Sequence, residues 1–469
     1  MSAIHSPQTP PDLPAASAVI LAAGKGTRMH TDTPKVLCDI LEEPMLRYVY
    51  DAVIPVVEDR AWTVVGHKVE LLHAAFPEQE SRFILQEKQL GTGHALQQAW
   101  PAVADAGLDH VLVINGDTPL LPTDVLRDFL LASVREKADI AFISLALDNP
   151  GAFGRVVRKD KRIAAIVEAK DYEPAVYGPE PNEINAGIYY FRTAAVTPLL
   201  PLLFGNNKSG ELYITDLVGL GVSRNMTVYG HLLPNEQELS GVNSPEELIR
   251  AEEYLRERLV GEHVRNGVII RSPHTVRIGP DVRIERGVEI TGPCELYGKS
   301  VIGRGARIAS HCRLADASVA EGVVMHSFCH VEKARIGAGC IVGPYARLRP
   351  GSEMEEGAHI GNFVEMKQAR LGKGAKANHL SYLGDADIGD HANIGAGTIT
   401  CNYDGQKKHR TTVGEKSFIG SNTSLVAPVN IGPGALVGAG STITKDVPEN
   451  SLGISRAPQR LISRKRIGK

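Results

Sequence analysis

Ile336-Gly-Ala-Gly-Cys-Ile-Val342-Gly-Pro-Tyr-Ala-Arg-Leu348-Arg-Pro-Gly-Ser-Glu-Met354 carries an apolar residue at every sixth position, and Ile360 and Met366 continue the series. The same spacing links Ile278, Ile284, Ile290, Leu296, Ile302, Ile308 and Leu314. It returns in Val413, Ile419, Leu425, Ile431, Val437 and Ile443. A period of six fits neither a helix at 3.6 nor an ordinary half-buried strand at 2. It fits a hexapeptide β-helix, in which each hexad forms one flat side of a triangular coil. The aliphatic points inward, and small residues such as Gly337, Gly343 and Gly361 permit the close corner.

Three hexads per coil, stacked at about 4.8 Å, turn residues 264–454 into a rod of about ten coils. The rhythm fails at Cys401–Arg410, where a polar run separates Thr400 from Val413. Such an insertion leaves the stack as a loop, often on the binding face. Ahead of the rod, Ser244 can cap a helix, Pro245 suits its first turn and Glu247 completes a capping box. The spacing predicts a linker helix over 245–260 within residues 244–263, with Gly261 as its stop.

Residues 17–243 read differently. Ala18–Leu21, Trp62–Val65, Val111–Ile114 and Ile140–Leu147 are short β-branched or aliphatic runs bounded by turn formers. Helical stretches at Gly93–Ala104 and Asp124–Ala132 lie among them, and the alternation predicts a mostly parallel, Rossmann-like α/β sheet. Ligands on such sheets sit at the carboxyl ends of the strands.

Composition narrows the class. Glycine makes up 47 of 469 residues while aromatics reach only 5%, which suits a turn-rich protein with narrow coils. A net charge of −3 argues against a general nucleic-acid binder. No apolar run approaches the roughly 20 residues of a membrane span. Six cysteines without zinc or C-x-x-C spacing read as free thiols in a reducing cytoplasm. Residues 1–16 read as a loose leader and 455–469 as a basic tail, with Arg460, Arg464, Lys465, Arg466 and Lys469.

Two segments of the first half carry chemistry. Leu21-Ala-Ala-Gly-Lys-Gly-Thr-Arg-Met29 follows the first strand, so that Gly24 and Gly26 let backbone N–H groups approach a phosphate. Lys25, Arg28 and Lys35 add positive charge. Asn115-Gly116-Asp117 sets a carboxylate at a strand end, which suits Mg²⁺. In the second half, Arg347-Leu-Arg349-Pro, Asn362–Lys367, His379–Asp385 and Gly395–Tyr403 hold polar side chains that a structural hexad does not need. Arg and Lys without obvious acidic neighbours suit a phosphate, and a histidine beside them suits a general base.

These motifs resemble the sugar nucleotidyltransferases. Pro34-Lys-Val-Leu37, Gln86 with Leu90–Ala95, Glu183–Ile188 and Gly241–Asn243 narrow the likeness. From about residue 17 to 460 the chain resembles the bacterial family that joins an N-acetylglucosamine-1-phosphate uridyltransferase to a glucosamine-1-phosphate acetyltransferase. The resemblance implies Mg²⁺-dependent uridylyl transfer from UTP, with pyrophosphate released, and acetyl transfer from acetyl-CoA. The product would feed peptidoglycan and lipopolysaccharide precursors, and the assembly would be a homotrimer.

Carried over residue by residue, the resemblance implies that Leu21, Ala22, Ala23, Gly24, Gln86, Gly91 and Thr92 hold the uridine nucleotide. Gln86 would offer a donor and an acceptor to the uracil edge. Arg28 and Lys35 would act on the triphosphate. Asn115 and Gly116 would line the site, Gly154, Glu168 and Asn185 would grip the sugar, and Asp117 and Asn243 would hold Mg²⁺. In the rod, Arg349, Lys367, Tyr382 and Asn393 would bind glucosamine 1-phosphate, and His379 would be the base. Ala396, Ser421, Ala439 and Arg456 would line the acetyl-CoA site with Asn402 and Tyr403. Cys401 is not needed as a nucleophile, because direct transfer from CoA forms no acyl-enzyme.

The sequence departs from the family pattern at Cys38, where histidine is common, at Glu42-Glu43, where a glycine is usual, and at Asn115, where tyrosine is often found. Two rivals stay open here. One is another sugar-1-phosphate nucleotidyltransferase with an inert, regulatory β-helix, and the other is a non-catalytic scaffold that binds sugar nucleotides.

Overall fold

The structure is a computed structural model that describes residues 13–24, 26–205, 207–234, 237–239 and 241–462. Lys25, most of the leader and Arg464, Lys465, Arg466 and Lys469 of the tail lie outside the described residues. The chain forms two compact units, one ending at Glu253 and one beginning at Tyr254.

In the first unit the buried apolar runs become neighbouring strands. Ala16–Leu21 lies between His110–Asn115 and Ala61–Val65, parallel to both, and Phe83–Leu85 adds a further parallel strand. Beyond His110–Asn115 comes the long strand Glu183–Arg192, which runs antiparallel to it and to Ile140–Ala146. Its Ile-Asn-Ala-Gly-Ile-Tyr-Tyr-Phe core is almost wholly buried. It breaks register between Asn185 and Tyr189. Gly187 occupies that bulge at φ +76°, and a Cβ there would collide with Asn115 Nδ2. The helices run from Thr92 to Asp105 and from Thr123 to Arg135.

The turn at Leu41-Glu42 explains why a glycine is usual nearby. Leu41 and Glu42 have φ of 51° and 66°. They join strands Asp39–Ile40 and Glu43–Pro44, a conformation that favours Gly.

The linker helix spans Pro245–Arg265, longer than its apolar stripe suggests. Gly261 lies inside it. The stop is Gly267 at φ +91°, with the Val268 amide donating to the His263 carbonyl at 3.1 Å, the six-to-one bond of a Schellman motif. At the other end, the Glu247 amide donates to Ser244 Oγ at 3.3 Å. The Glu247 carboxylate accepts the Asn243 amide at 2.6 Å.

The second unit is a left-handed parallel β-helix whose three faces are sheets of 11, 10 and 9 strands. The inward aliphatics form one continuous core from Val260 to Val447. The coils are not all of one length. Ile284 pairs with Ile302, three full hexads on, whereas Ile302 pairs with Val319, one position short of that step. The shortened sides run from the second to the third face, as at Leu314 to Val319 and Met366 to Leu371. They account for the breaks between the three hexad series. The Cys401–Arg410 segment leaves the stack, so that Thr400 pairs with Leu425 and Ile388 with Val413, each across a much lengthened coil. All six cysteines are free.

Gly361 shows how closely adjacent coils approach. A Cβ there would collide with the Asn378 carbonyl oxygen, a backbone atom that cannot swing aside. Gly361→Ala is therefore expected to cost about 1–3 kcal/mol by overpacking and to lower the calorimetric melting temperature of the rod by several degrees.

Candidate functional site

The first unit gathers its polar residues at the carboxyl end of the central strands. Lys35 stands on the short turn Lys35–Leu37, and its ammonium donates to the Asp117 carboxylate and, at 2.9 Å, to Asn243 Oδ1. The side chains of Lys35 and Asp117 are only 13% and 17% exposed. Two backbone features set this convergence. Asp117 follows the strand His110–Asn115 and its carbonyl accepts the Val242 amide at 2.8 Å, while Asn243 is held by Glu247 of the helix cap. Gly241 passes so close that a Cβ would lie 3.2 Å from Asp117 Oδ1. Arg28 is exposed, on the turn Thr27–Met29.

The residues expected around a nucleotide lie next to this cluster. Ala22 and Gly116 are tied to the strand ends, the Gly116 amide donating to Leu21 O at 2.9 Å and the Ala22 amide to Val64 O. Ala23 O accepts Gln89 Nε2 at 2.7 Å, and Gly24 has open space beside its Cα. Gln86 is 3% exposed, and its Nε2 contacts Gly91 O at 3.1 Å and His94 Nδ1 at 2.8 Å. Its amide donor is thus engaged within the protein, and the oxygen is the group left for a ligand. Thr92 Oγ1 accepts the Ile214 amide. A cavity of about 320 Å³ is lined by Gly66, His67, Gln86 and Gln89.

Glu168 ends the strand Arg162–Val167 beside Gly154, and its carboxylate accepts Thr215 Oγ1 at 3.0 Å. Burial raises its pKa, an effect the Thr215 hydrogen bond opposes. Asn185 donates to Tyr189 OH at 2.6 Å, and its amide bonds to Gly154 O at 2.9 Å. Gly154, Glu168 and Asn185 therefore form one group. A cleft of about 760 Å³ opens beside it, with Asp171, Tyr213, Thr215 and Asp216 in its walls. Sequence reasoning misses Thr215 and Asp216, which no motif marks. Glu247 is legible there only as part of a helix cap.

In the second unit, coil-to-coil register builds two rows. At the end of the first face, amide-to-carbonyl bonds step from Leu380 to Asn362, Gly397 to His379, Asn422 to Ala396 and Gly440 to Ser421. His379, Ala396, Ser421 and Ala439 thus stand in line on successive coils. Arg456 Nη1 donates to Ala439 O at 2.7 Å, which joins another expected residue to the row. At the end of the second face, Arg349 and Lys367 stand together, and Lys408 of the excursion loop comes beside them, pushing the Lys367 pKa down. Three cations in one place suit an anionic ligand.

The sequence hid two acidic neighbours: Glu365, whose carboxylate accepts Arg349 Nη1 at 3.0 Å, and Asp385, whose charge acts on Lys367. Tyr382 pairs in register with Glu365. Asn393 pairs with Lys376, at the opposite end of the first face from His379; the length of that short strand separates them by roughly 10 Å. Asn402 is buried against Asp385, and Tyr403 is 62% exposed with its hydroxyl on Gly405 O.

Comparison with known proteins accounts for both halves. The family MobA-like NTP transferase domain matches residues 18–177, and the family bacterial transferase hexapeptide (six repeats) matches 410–445. A relative in Nitratidesulfovibrio vulgaris (strain DSM 19637 / Miyazaki F) is 61% identical over 449 residues, covering 96% of this chain and 98% of that protein. Relatives in Oleidesulfovibrio alaskensis and Lawsonia intracellularis are 57% and 45% identical over the same shares of each chain. All three are named Bifunctional protein GlmU. The chain belongs to the GlmU family. It is a two-part transferase, with a nucleotidyltransferase half and a hexapeptide acyltransferase half. Among the described residues no helix is long and apolar enough to cross a membrane.

Asp216 gives the sugar-side cleft a measurable signature. Burial, with Asp171 nearby, pushes its pKa up to about 6, above the usual 3.9 or so. The folded protein then binds this proton more tightly than the unfolded chain, so stability falls as pH rises from about 4 through about 6. Asp216→Asn should raise the melting temperature at pH 7.5 and leave it unchanged at pH 4.

Proposed function

We propose that the chain makes UDP-N-acetylglucosamine by two reactions: acetyl transfer from acetyl-CoA to glucosamine 1-phosphate in the rod, then uridylyl transfer from UTP to N-acetylglucosamine 1-phosphate in the first half. The observation that carries this reading is that each half sets positive charge among the groups its chemistry needs: the one ammonium of Lys35 with Asp117 and Asn243, and Arg349 with Lys367 and Lys408.

Asp117 and Asn243 fit Mg²⁺. A carboxylate and an amide oxygen converge on one cationic group, the Lys35 ammonium, and both are hard oxygen donors. Among the described residues no three His, Cys, Asp or Glu side chains form a metal cage. Two protein oxygens, with the rest left to phosphates and water, is the arrangement Mg²⁺ favours. When bound, the ion neutralises phosphate charge as pyrophosphate leaves.

The chain's own residues do the rest. Lys35 and Arg28 attract and align the triphosphate, while the Gln86 oxygen accepts from the uracil imide. Gly154, Glu168 and Asn185 orient the sugar so that its phosphate oxygen faces the α-phosphorus in line. In the rod, Arg349, Lys367 and Lys408 hold the sugar phosphate, and Tyr382 and Asn393 border the sugar. His379 Nε2 accepts the proton as the amine attacks the thioester. CoA lies along Ala396, Ser421 and Ala439, with Arg456, Asn402 and Tyr403 at its margin. The free cysteines suit a reducing cytoplasm.

Asp117→Ala should abolish pyrophosphate release and spare acetyl transfer, and His379→Ala should do the reverse. Loss of both activities in either variant would sink the two-site reading.

We further propose a homotrimer. The rings of His311, Phe328, Tyr345 and Phe363 stack at 4.6, 4.7 and 5.1 Å along one edge of the rod. Phe328, Tyr345 and Phe363 are 45–55% exposed. Such an apolar strip suits coverage by another copy, and three-fold symmetry closes the assembly. Light scattering should give three times the 50.5 kDa chain mass; a single-chain mass would overturn it.

A further inference from the structure

His379 and Asn362 occupy matching positions on consecutive coils of the first face, paired in the parallel ladder. Both backbones are pinned. The Leu380 amide donates to Asn362 O at 3.0 Å, while His379 O accepts the Gly397 amide at 3.2 Å and Ser381 Oγ at 2.9 Å. From these fixed starting points, about 4.8 Å apart, the side chains meet with His379 Nδ1 2.7 Å from Asn362 Oδ1. An amide oxygen only accepts, so Nδ1 must be the protonated nitrogen. Neutral imidazole carries one N–H, and the bond therefore leaves Nε2 with a bare lone pair.

We infer that Asn362 is a positioning residue for acetyl transfer: it selects the Nδ1–H tautomer of His379 and points Nε2 at the acceptor amine. The inference rests on the reading of His379 as the general base. The step balances as follows. The amine nitrogen of glucosamine 1-phosphate bonds to the thioester carbonyl carbon, and Nε2 takes the proton that nitrogen loses. The carbon–sulfur bond then breaks, and Nε2 returns the proton to sulfur, so CoA leaves as the thiol and His379 is regenerated.

The surroundings agree with this role. A cavity of about 450 Å³ is lined by Asn362, His379, His359 and Asn378, with the Tyr345 and Phe363 rings at its edge. The titratable and charged groups on the adjoining strands are cationic or neutral. Burial lowers the His359 pKa, and Lys376, His326 and His379 add to that. No carboxylate contends for Nδ1–H: among the described residues its hydrogen-bond partner is the amide of Asn362. A neutral orienting partner places no negative charge against the ring, as an Asp at this position would.

The test uses the full-length enzyme with ¹⁵N-labelled histidine rings and the His379 signals assigned by their loss in His379→Gln. The expected result is an unprotonated Nε2 in the neutral wild-type ring. Asn362→Leu should mix or invert the tautomer and lower kcat for acetyl transfer roughly tenfold to a hundredfold, with KM for both substrates changed less than about threefold. Asn362→Asp should keep the tautomer, move the acid limb of the kcat profile to higher pH and recover most of the rate at alkaline pH. Uridylyl transfer by the same samples reports on folding. If the leucine variant does not fold, the wild-type nitrogen shifts and the aspartate profile still decide. An Nε2–H tautomer in the wild type, or an unaltered tautomer and kcat in Asn362→Leu, would overturn the inference. A tautomer that changes as expected while His379→Gln still transfers acetyl would instead sink the general-base reading.

Discussion

Each coil of the rod donates its backbone hydrogen bonds to the coil beside it, in a register that the inward aliphatics cannot leave without exposing the core. Slipping one residue would turn every Ile, Val and Leu of a side outward. The core from Val260 to Val447 is continuous, and most of its members are fully buried, so the register holds along the whole stack. Everything functional in the second half depends on this constraint. Residues a whole coil apart in sequence become neighbours, whether that coil is full, shortened or lengthened by the loop. A row of side chains on one edge becomes a straight track.

The track brings residues of successive coils side by side. His379, Ala396, Ser421 and Ala439 share one edge because successive amide-to-carbonyl steps place them there. The aromatic ladder occupies the same corner on earlier coils. It gives way to Leu380, Gly397, Asn422 and Gly440 from His379 onward. In the first half the ordering element is different. Asp117 is set by a strand end and Asn243 by a helix cap, two rigid features that arrive from distant parts of the chain and meet at the Lys35 ammonium.

Much of this was legible in one dimension. A six-residue period has a single structural solution, so the hexad series identified the β-helix directly, and the polar run at Cys401–Arg410 identified its loop. The helix cap at Ser244 was readable because capping is local chemistry. Gly261 misled for the same reason. A glycine within a helix costs only about 1 kcal/mol against alanine, and packing carried the helix past it to Gly267. The strand Glu183–Arg192, which carries Asn185, is not among the strands that the alternation predicts. Its apolar run is strong, but its antiparallel place between two strands of the sheet is a tertiary fact.

What the sequence determined alone was the pair of architectures and a set of candidate reactive groups, because period, turn chemistry and motif spacing are properties of the chain. What only the folded structure decided was which of those groups meet. Lys408 joins Arg349 and Lys367, Glu365 turns toward Arg349, and Asn362 grips His379. Such contacts join one coil to another and depend on coil length, where a single side one residue short changes every partner above it. Spacing along the chain cannot reveal them, since full and shortened coils follow one another without a local signal. The physical reason is the register itself, set by core packing across neighbouring coils.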